Sequence, residues 1–171
     1  MRREATPSTP PSPTPSAAAS PHASRPTPHA PSGSVLAFDF GEKRIGVAVG
    51  EPMLGIAHPV TTIEASGRDA QLIAVDALVK EWQPARLVVG LPLAMDGSEH
   101  AMTQRARKFG RQLAARYALP VSHVDERLTS HAASARLAGR RAAKADVDRA
   151  AAQIILQDYF DQTTPARTGA A

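Results

Sequence analysis

Short apolar runs alternate with longer segments of helical period along the middle of the chain. The first two runs, VLAFDF and IGVAVG, are separated by only four residues, a spacing typical of a β-hairpin. The third run contains Pro59, which indicates an edge or interrupted strand because proline cannot donate to a β-ladder. The pattern predicts strands at 35–40, 45–50, 55–63, 86–91 and 121–125.

Helices are predicted where apolar residues recur every three or four positions. The clearest is 98–118, where Ser98 is the expected N-cap. The predicted helices are 69–82, 98–118, 129–138 and 146–160. The order β-β-β-α-β-α-β-α-α predicts an α/β fold with a mixed five-stranded sheet flanked by helices. The first three strands form an antiparallel meander, and the later strands return through helices to pair in parallel.

The first 33 residues differ in composition from the rest. They hold nine of the chain's 15 prolines and lack Ile, Leu, Val, Phe, Trp and Tyr, which predicts a disordered Pro/Ser/Ala-rich extension. A Pro-rich ligand for a partner is the alternative interpretation. A signal peptide is disfavoured because no apolar run follows Arg2 and Arg3. We expect a single domain over residues 34–162 and a flexible tail over 163–171.

Composition narrows the chemistry further. The chain contains no cysteine, which excludes disulfides, thiolate metal sites and a cysteine nucleophile. It also has no apolar stretch near the roughly 20 residues of a membrane span, so no membrane partner is expected. None of the six histidines shows metal-ligand spacing, and we expect them to be structural or surface groups.

Four carboxylates stand apart from those on solvated helix faces. Asp39 lies inside an apolar strand, Asp125 and Glu126 follow another strand, and Asp148 lies in the first turn of the last predicted helix. β-α units bring the ends of parallel strands together, so these groups can converge on Mg²⁺ or Mn²⁺, as in phosphodiester hydrolysis by two metal ions. The alternative for Asp39 is a residue that caps the hairpin turn.

The net charge of +4 hides a polarised chain. Residues 34–104 hold five Lys and Arg against nine Asp and Glu, whereas residues 105–149 hold eleven against four. Arg140, Arg141 and Lys144 precede Asp148 and suit a nucleic-acid backbone. Aromatic residues make up only 4% of the chain, which favours backbone contacts over base stacking.

Five blocks together resemble the YqgF (RuvX) family of RNase H-like proteins, described as Holliday junction resolvases or pre-16S rRNA nucleases. The blocks are FDFGEKRIGVAVG (38–50), EWQPARLVVGLPLAMDGSE (81–99), ARKFGRQLA (106–114), VDERLTS (124–130) and KADVDRAAAQIILQDYF (144–160). The resemblance covers residues 35–161. It implies an RNase H-like fold and a cytoplasmic, metal-dependent nuclease that acts on the 5′ end of pre-16S rRNA, with ribosomal particles as further partners.

The resemblance also assigns roles. It implies Asp39 and Asp148 as catalytic carboxylates, with a middle ligand from the pair Asp125 and Glu126. Glu126 is favoured because the wider superfamily has a glutamate at this strand end.

Three more cations, Lys43, Arg44 and Arg127, are then candidates for substrate phosphates, unless Arg127 pairs with the acidic residues beside it. The Asp96-Gly97 pair is expected to form a turn.

Three other functions remain open. A Holliday junction resolvase on branched DNA would require a homodimer, and the sequence does not distinguish a monomer from a dimer. A non-catalytic RNA-binding assembly factor would keep the fold without turnover. The hairpin also resembles that of ATP-dependent sugar kinases and chaperone-like ATPases, but those proteins need two such domains, and this chain has length for one.

Overall fold

The structure is a computed structural model that describes residues 33–127 and 143–163. Its strands are β1 (Val35–Phe40), β2 (Arg44–Glu51), β3 (Ile56–Glu64), β4 (Arg86–Leu91) and β5 (Val121–Asp125). Its helices are α1 (Arg68–Trp82), α2 (Ala101–Tyr117) and α3 (Lys144–Thr163). The helix predicted at 129–138 lies outside the described residues, as do nearly all of the two predicted tails. No helix within the described ranges is long and apolar enough to span a membrane.

One mixed sheet organises the fold, with strand order β3-β2-β1-β4-β5. β1, β2 and β3 pair antiparallel, and β4 pairs in parallel with both β1 and β5. The predicted meander and parallel returns are therefore confirmed. β3 is an edge strand, as Pro59 indicated, and the β2–β3 register shifts by one residue between Val47 and Ala48.

The two faces of the sheet carry separate cores, because successive side chains of a strand point to opposite sides. Leu36 and Phe38 of β1 face α1 and α2, where they pack with Leu113 of α2. Val35 and Ala37 face α3 and pack in a second cluster. By the same alternation, Asp39 continues the row that faces α3.

The start of α2 corrects one prediction. The N-cap is His100 rather than Ser98: His100 Nδ1 accepts a hydrogen bond from the Met102 amide at 3.3 Å, and Thr103 Oγ1 accepts one from the His100 amide at 3.2 Å. Ser98 instead donates its amide to Asp96 Oδ1 at 2.8 Å within a turn. Because the Ser98 amide is bound by the Asp96 carboxylate, Ser98 belongs to this turn and the helix begins after it. Gly97 has φ of 85°, which confirms the predicted Asp-Gly turn.

Candidate active site

Asp39 lies at the carboxyl end of β1 on the face covered by α3. Its neighbour across the β1–β2 ladder is Gly46. Because Gly46 has no side chain, the second turn of α3 approaches this point closely: a Cβ atom there would overlap the main-chain oxygen of Asp148. Asp148 was predicted in the first turn of this helix, but α3 begins at Lys144, so Asp148 lies in the second turn. The glycine thereby sets how near Asp148 comes to Asp39.

Glu126 reaches the same place from the end of β5. Its amide donates to the Leu91 carbonyl at 3.1 Å, which extends the β4–β5 pairing by one residue. Gly90 of β4 leaves room for the Glu126 side chain, since a Cβ on Gly90 would lie 2.9 Å from Glu126 Oε2. The glutamate is only 7% exposed, so it is a buried charged side chain.

Asp39, which is half-buried, and Glu126, which is buried, form an interacting carboxyl pair. Burial raises the pKa of Asp39, the hydrogen bond from Glu126 lowers it in part, and the charge of Asp148 raises it further. Burial raises the pKa of Glu126 as well, and the charge of Asp39 beside it adds to that rise. Two adjacent carboxyl groups in a desolvated place hold a proton between them unless a cation neutralises the site.

Asp125, the other member of the predicted acidic pair, points away from this site. Arg127 donates to Asp125 Oδ2 through Nε at 2.7 Å and to Asp125 Oδ1 through its amide at 3.0 Å. Partial desolvation acts against the shift, but the hydrogen bonds and charge of Arg127 hold the pKa of Asp125 below its usual range. The structure therefore places Glu126, and not Asp125, with Asp39, and it places Arg127 in the alternative local ion pair.

An open cleft of about 360 Å³ leads to Asp39 and Asp148. Three of the predicted substrate-binding cations line it: Lys43, Arg44 and Lys144. Arg44 donates from Nε to Asp148 Oδ2 at 2.8 Å, which ties the start of β2 to the second turn of α3. Arg140 and Arg141 lie outside the described residues.

The donor set suits a hard divalent cation. Glu126 Oε2 is buried and has no hydrogen-bond partner among residues 33–127 and 143–163, so one carboxylate oxygen is left for a ligand. Aspartate and glutamate oxygens are the ligands that Mg²⁺ and Mn²⁺ prefer. No group of three or more His, Asp or Glu in those same ranges is arranged closely enough to hold a metal ion. Asp148 accepts a hydrogen bond from Arg44.

Gln71 is a supporting residue that the sequence analysis did not identify. Its side chain is 5% exposed, and its Nε2 donates to the carbonyls of Gly41, Glu42 and Ala65 at 3.1, 3.0 and 3.3 Å. These bonds fix the turn that follows Asp39 against the first turns of α1. The available signal was a glutamine at a position of α1 that helical spacing turns toward the core.

The comparisons with known proteins agree on one family. The family model described as "RuvX: Holliday junction resolvase" matches residues 33–162. A protein of Methylobacillus flagellatus named "Putative pre-16S rRNA nuclease" is 56% identical over 134 residues, which cover 75% of this chain and 91% of that protein. A protein of Dechloromonas aromatica with the same name is 58% identical over 133 residues, covering 75% and 91%.

A solved structure shares the architecture. The Fowlpox virus resolvase, determined with its substrate Holliday junction DNA, matches with a TM-score of 0.50 and 8% identity over 77% of this chain and 99% of that one. At this identity the match shows the fold alone, which is the RNase H-like mixed sheet described above. The chain therefore belongs to the RuvX family of RNase H-like nucleases.

Proposed function

We propose that the protein is a divalent-metal-dependent nuclease that hydrolyses phosphodiester bonds of pre-16S rRNA during processing of its 5′ end. The observation that carries this proposal is the carboxyl pair of Asp39 and the buried Glu126 beside a cleft. Asp39 and Asp148 line this cleft together with cations. The name shared by the relatives of 56 and 58% identity supports the choice of rRNA as substrate. We place this activity in the cytoplasm, with ribosomal particles as further partners.

Asp39, Glu126 and Asp148 are the residues that would hold Mg²⁺ or Mn²⁺. When bound, such ions activate a water molecule and neutralise charge on the leaving oxygen. The role of Asp39 and Glu126 is to lose their shared proton and present oxygens from a rigid sheet edge. Arg44 orients Asp148 through their ion pair, and its guanidinium lines the cleft where a phosphate would enter.

Lys43 and Lys144 supply the remaining positive charge of the cleft. Both side chains are exposed, so they can attract a phosphate backbone without a large desolvation cost. The Arg140 and Arg141 pair extends this charge in the sequence, and we include it in the proposed substrate-binding set. Arg127 is left out of this set because it pairs with Asp125.

A Holliday junction resolvase is the second candidate. The description of the family model favours it, as does the junction DNA bound by the structural neighbour. Such an enzyme would pair two copies of the chain, so that symmetric strands are cut together.

The test compares cleavage of a 5′ precursor fragment of 16S rRNA with cleavage of a four-way DNA junction, each with and without Mg²⁺. We expect wild type to cut the RNA only with the metal. Asp39→Asn should abolish cutting while RNA affinity stays within about twofold, since phosphate contacts dominate affinity. The control is Asp69→Asn, which makes the same change of charge at an exposed position of α1, and this variant should cut RNA as wild type does. Binding without cleavage by wild type would favour a non-catalytic assembly factor, and selective cutting of the junction would favour the resolvase.

A further inference from the structure

A second cavity lies on the other side of the β1–β2 turn from the carboxylates. It has a volume of about 450 Å³ and is enclosed by the first turn of α1, the middle of α2 and the end of β1. The cavity is separate from the cleft of Asp39 and Asp148, but Phe40 and Glu42 line both. The two spaces are therefore neighbours across one hairpin turn.

The charge of this cavity is positive. Arg68, Arg105 and Lys108 line it against a single carboxylate, Glu42. Arg105 forms an ion pair with Glu42, so its charge is balanced locally. Arg68 and Lys108 form no ion pair with any residue of ranges 33–127 and 143–163, and both are exposed. The cavity therefore has two cations ready for an anion.

The start of α1 adds to the attraction for anions. Gly67, which precedes the helix and lines the cavity, has φ of 93°, and no side chain caps the helix within the described chain. The amides of the first turn are left without side-chain acceptors, and helix N-termini bind anions through such groups. This feature reinforces the charge of Arg68 and Lys108.

Neutral groups complete the cavity wall. Phe40 is held against Phe109 with ring centroids 4.8 Å apart and planes at 26°, which makes it a fixed, half-buried aromatic surface. Gln112 also lines the wall, and its Oε1 is buried with no hydrogen-bond partner among residues 33–127 and 143–163. A flat apolar surface and an amide beside two cations suit a nucleotide better than a bare inorganic anion.

We propose that this cavity binds a nucleotide of the same strand that is cut at Asp39 and Glu126, with its phosphate held by Arg68 and Lys108. The inference rests on the proposed nuclease function and extends it, because it assigns a substrate path across the turn held by Gln71. A strand bound in this way occupies both spaces at once. Short substrates that reach only the cleft gain nothing from the cavity.

The test is RNA affinity as a function of length. Labelled single-stranded RNA of ten nucleotides and a dinucleotide are titrated in buffer containing EDTA, and a gel verifies that the probe stays intact. The variant is Arg68→Ala with Lys108→Ala. The matched control is Lys80→Ala with Arg111→Ala, which removes two exposed cations from the same two helices outside the cavity.

We expect the cavity variant to lose about tenfold in affinity for the longer RNA, and its slope of log affinity against log salt to fall by about 1.4, the counterion value for two single-strand phosphate contacts. The loss for the dinucleotide, which can occupy only one of the two spaces at a time, should be smaller, and the control variant should stay within about twofold of wild type. Arg68→Lys with Lys108→Arg, which keeps both charges, should bind as wild type does. Melting curves that match wild type establish that both variants are folded.

Equal losses of RNA affinity in the cavity variant and the control would overturn the proposal, because the effect would then come from the total positive charge of the protein. An equal loss with the dinucleotide would also overturn it, since binding of the longer strand would then not extend across both spaces. Affinity is measured in EDTA, where no cleavage is expected. A wild-type protein that shows these affinities but never cuts RNA would therefore contradict only the proposed nuclease function.

Discussion

A Cβ atom on Gly46 would overlap the main-chain oxygen of Asp148. The two residues are 102 positions apart in the chain, yet the absence of one side chain sets the distance between the sheet and the second turn of α3. Because Gly46 is paired with Asp39, this contact also brings the turn that carries Asp148 beside the strand position of Asp39.

Gly46→Ala should therefore displace the start of α3 and separate Asp148 from Asp39. We expect metal-dependent cleavage to fall by at least tenfold and stability to fall by about 1–3 kcal/mol, the usual cost of an overpacked core. The control is Gly55→Ala in the β2–β3 turn, where φ is 65° and no atom lies within 4 Å of a Cβ. Strain of about 1–2 kcal/mol is expected there, with activity retained. Equal activity in the two variants at equal stability would contradict this role for Gly46.

The second prediction separates the two members of the acidic pair. Glu126→Gln should lower cleavage by about 100-fold or more, because the buried oxygen beside Asp39 loses its charge and its capacity to bind a cation. Asp125→Asn should keep cleavage within a few-fold of wild type, since it removes only an exposed partner of Arg127. Single-turnover rates on one substrate measure both. A larger loss in Asp125→Asn than in Glu126→Gln would exchange their proposed roles.

Site residues that depend on local sequence pattern could be predicted, whereas those that depend on a neighbouring strand could not. Asp39 is placed by the period of two in VLAFDF, which puts it in one row with Val35 and Ala37. The choice between Asp125 and Glu126 could not be made from one sequence, because adjacent residues at a strand end point to opposite faces. It is decided by Gly90 on the neighbouring strand, which makes room for Glu126.

The supporting contacts were less predictable than the carboxylates. Gln71 acts on a turn that is 29 residues away from it, through hydrogen bonds that no local pattern encodes. The N-cap at His100 was missed for a related reason: Ser98 is the better local candidate, but Asp96 engages it first. The periodicity of apolar residues therefore predicts the helices and strands, whereas long-range and competing hydrogen bonds decide the turn contacts and the helix N-cap.

The third prediction concerns pH. Burial raises the pKa of Glu126 and of Asp39 in the folded protein, so above the ordinary carboxyl pKa of about 4.3 the unfolded chain holds fewer protons than the folded one. Stability then falls as pH rises. Thermal melts in EDTA between about pH 5 and pH 8 should show wild type losing more stability than Glu126→Gln, at no more than about 1.4 kcal/mol per pH unit for one proton.

Magnesium should reverse this trend. Cation binding requires the deprotonated carboxylates, so the metal-induced rise in melting temperature should increase with pH in wild type. It should be much smaller at every pH in Glu126→Gln. A metal-induced rise that is the same at low and high pH would contradict a site built on these two carboxyl groups.

The last prediction tests the turn that joins the catalytic cleft to the second cavity. Gln71→Met keeps the side-chain volume but removes the donor to the carbonyls of Gly41, Glu42 and Ala65, which leaves buried acceptors unpaired and should cost about 1–3 kcal/mol. The turn carries Lys43, so a looser turn should raise KM for RNA several-fold more than it lowers kcat. Gln104→Met, an exposed change on α2, should alter neither stability nor KM. Chemical denaturation and steady-state kinetics measure the two effects separately. A Gln71→Met protein that loses stability but keeps the wild-type KM would show that the turn holds its shape without the glutamine.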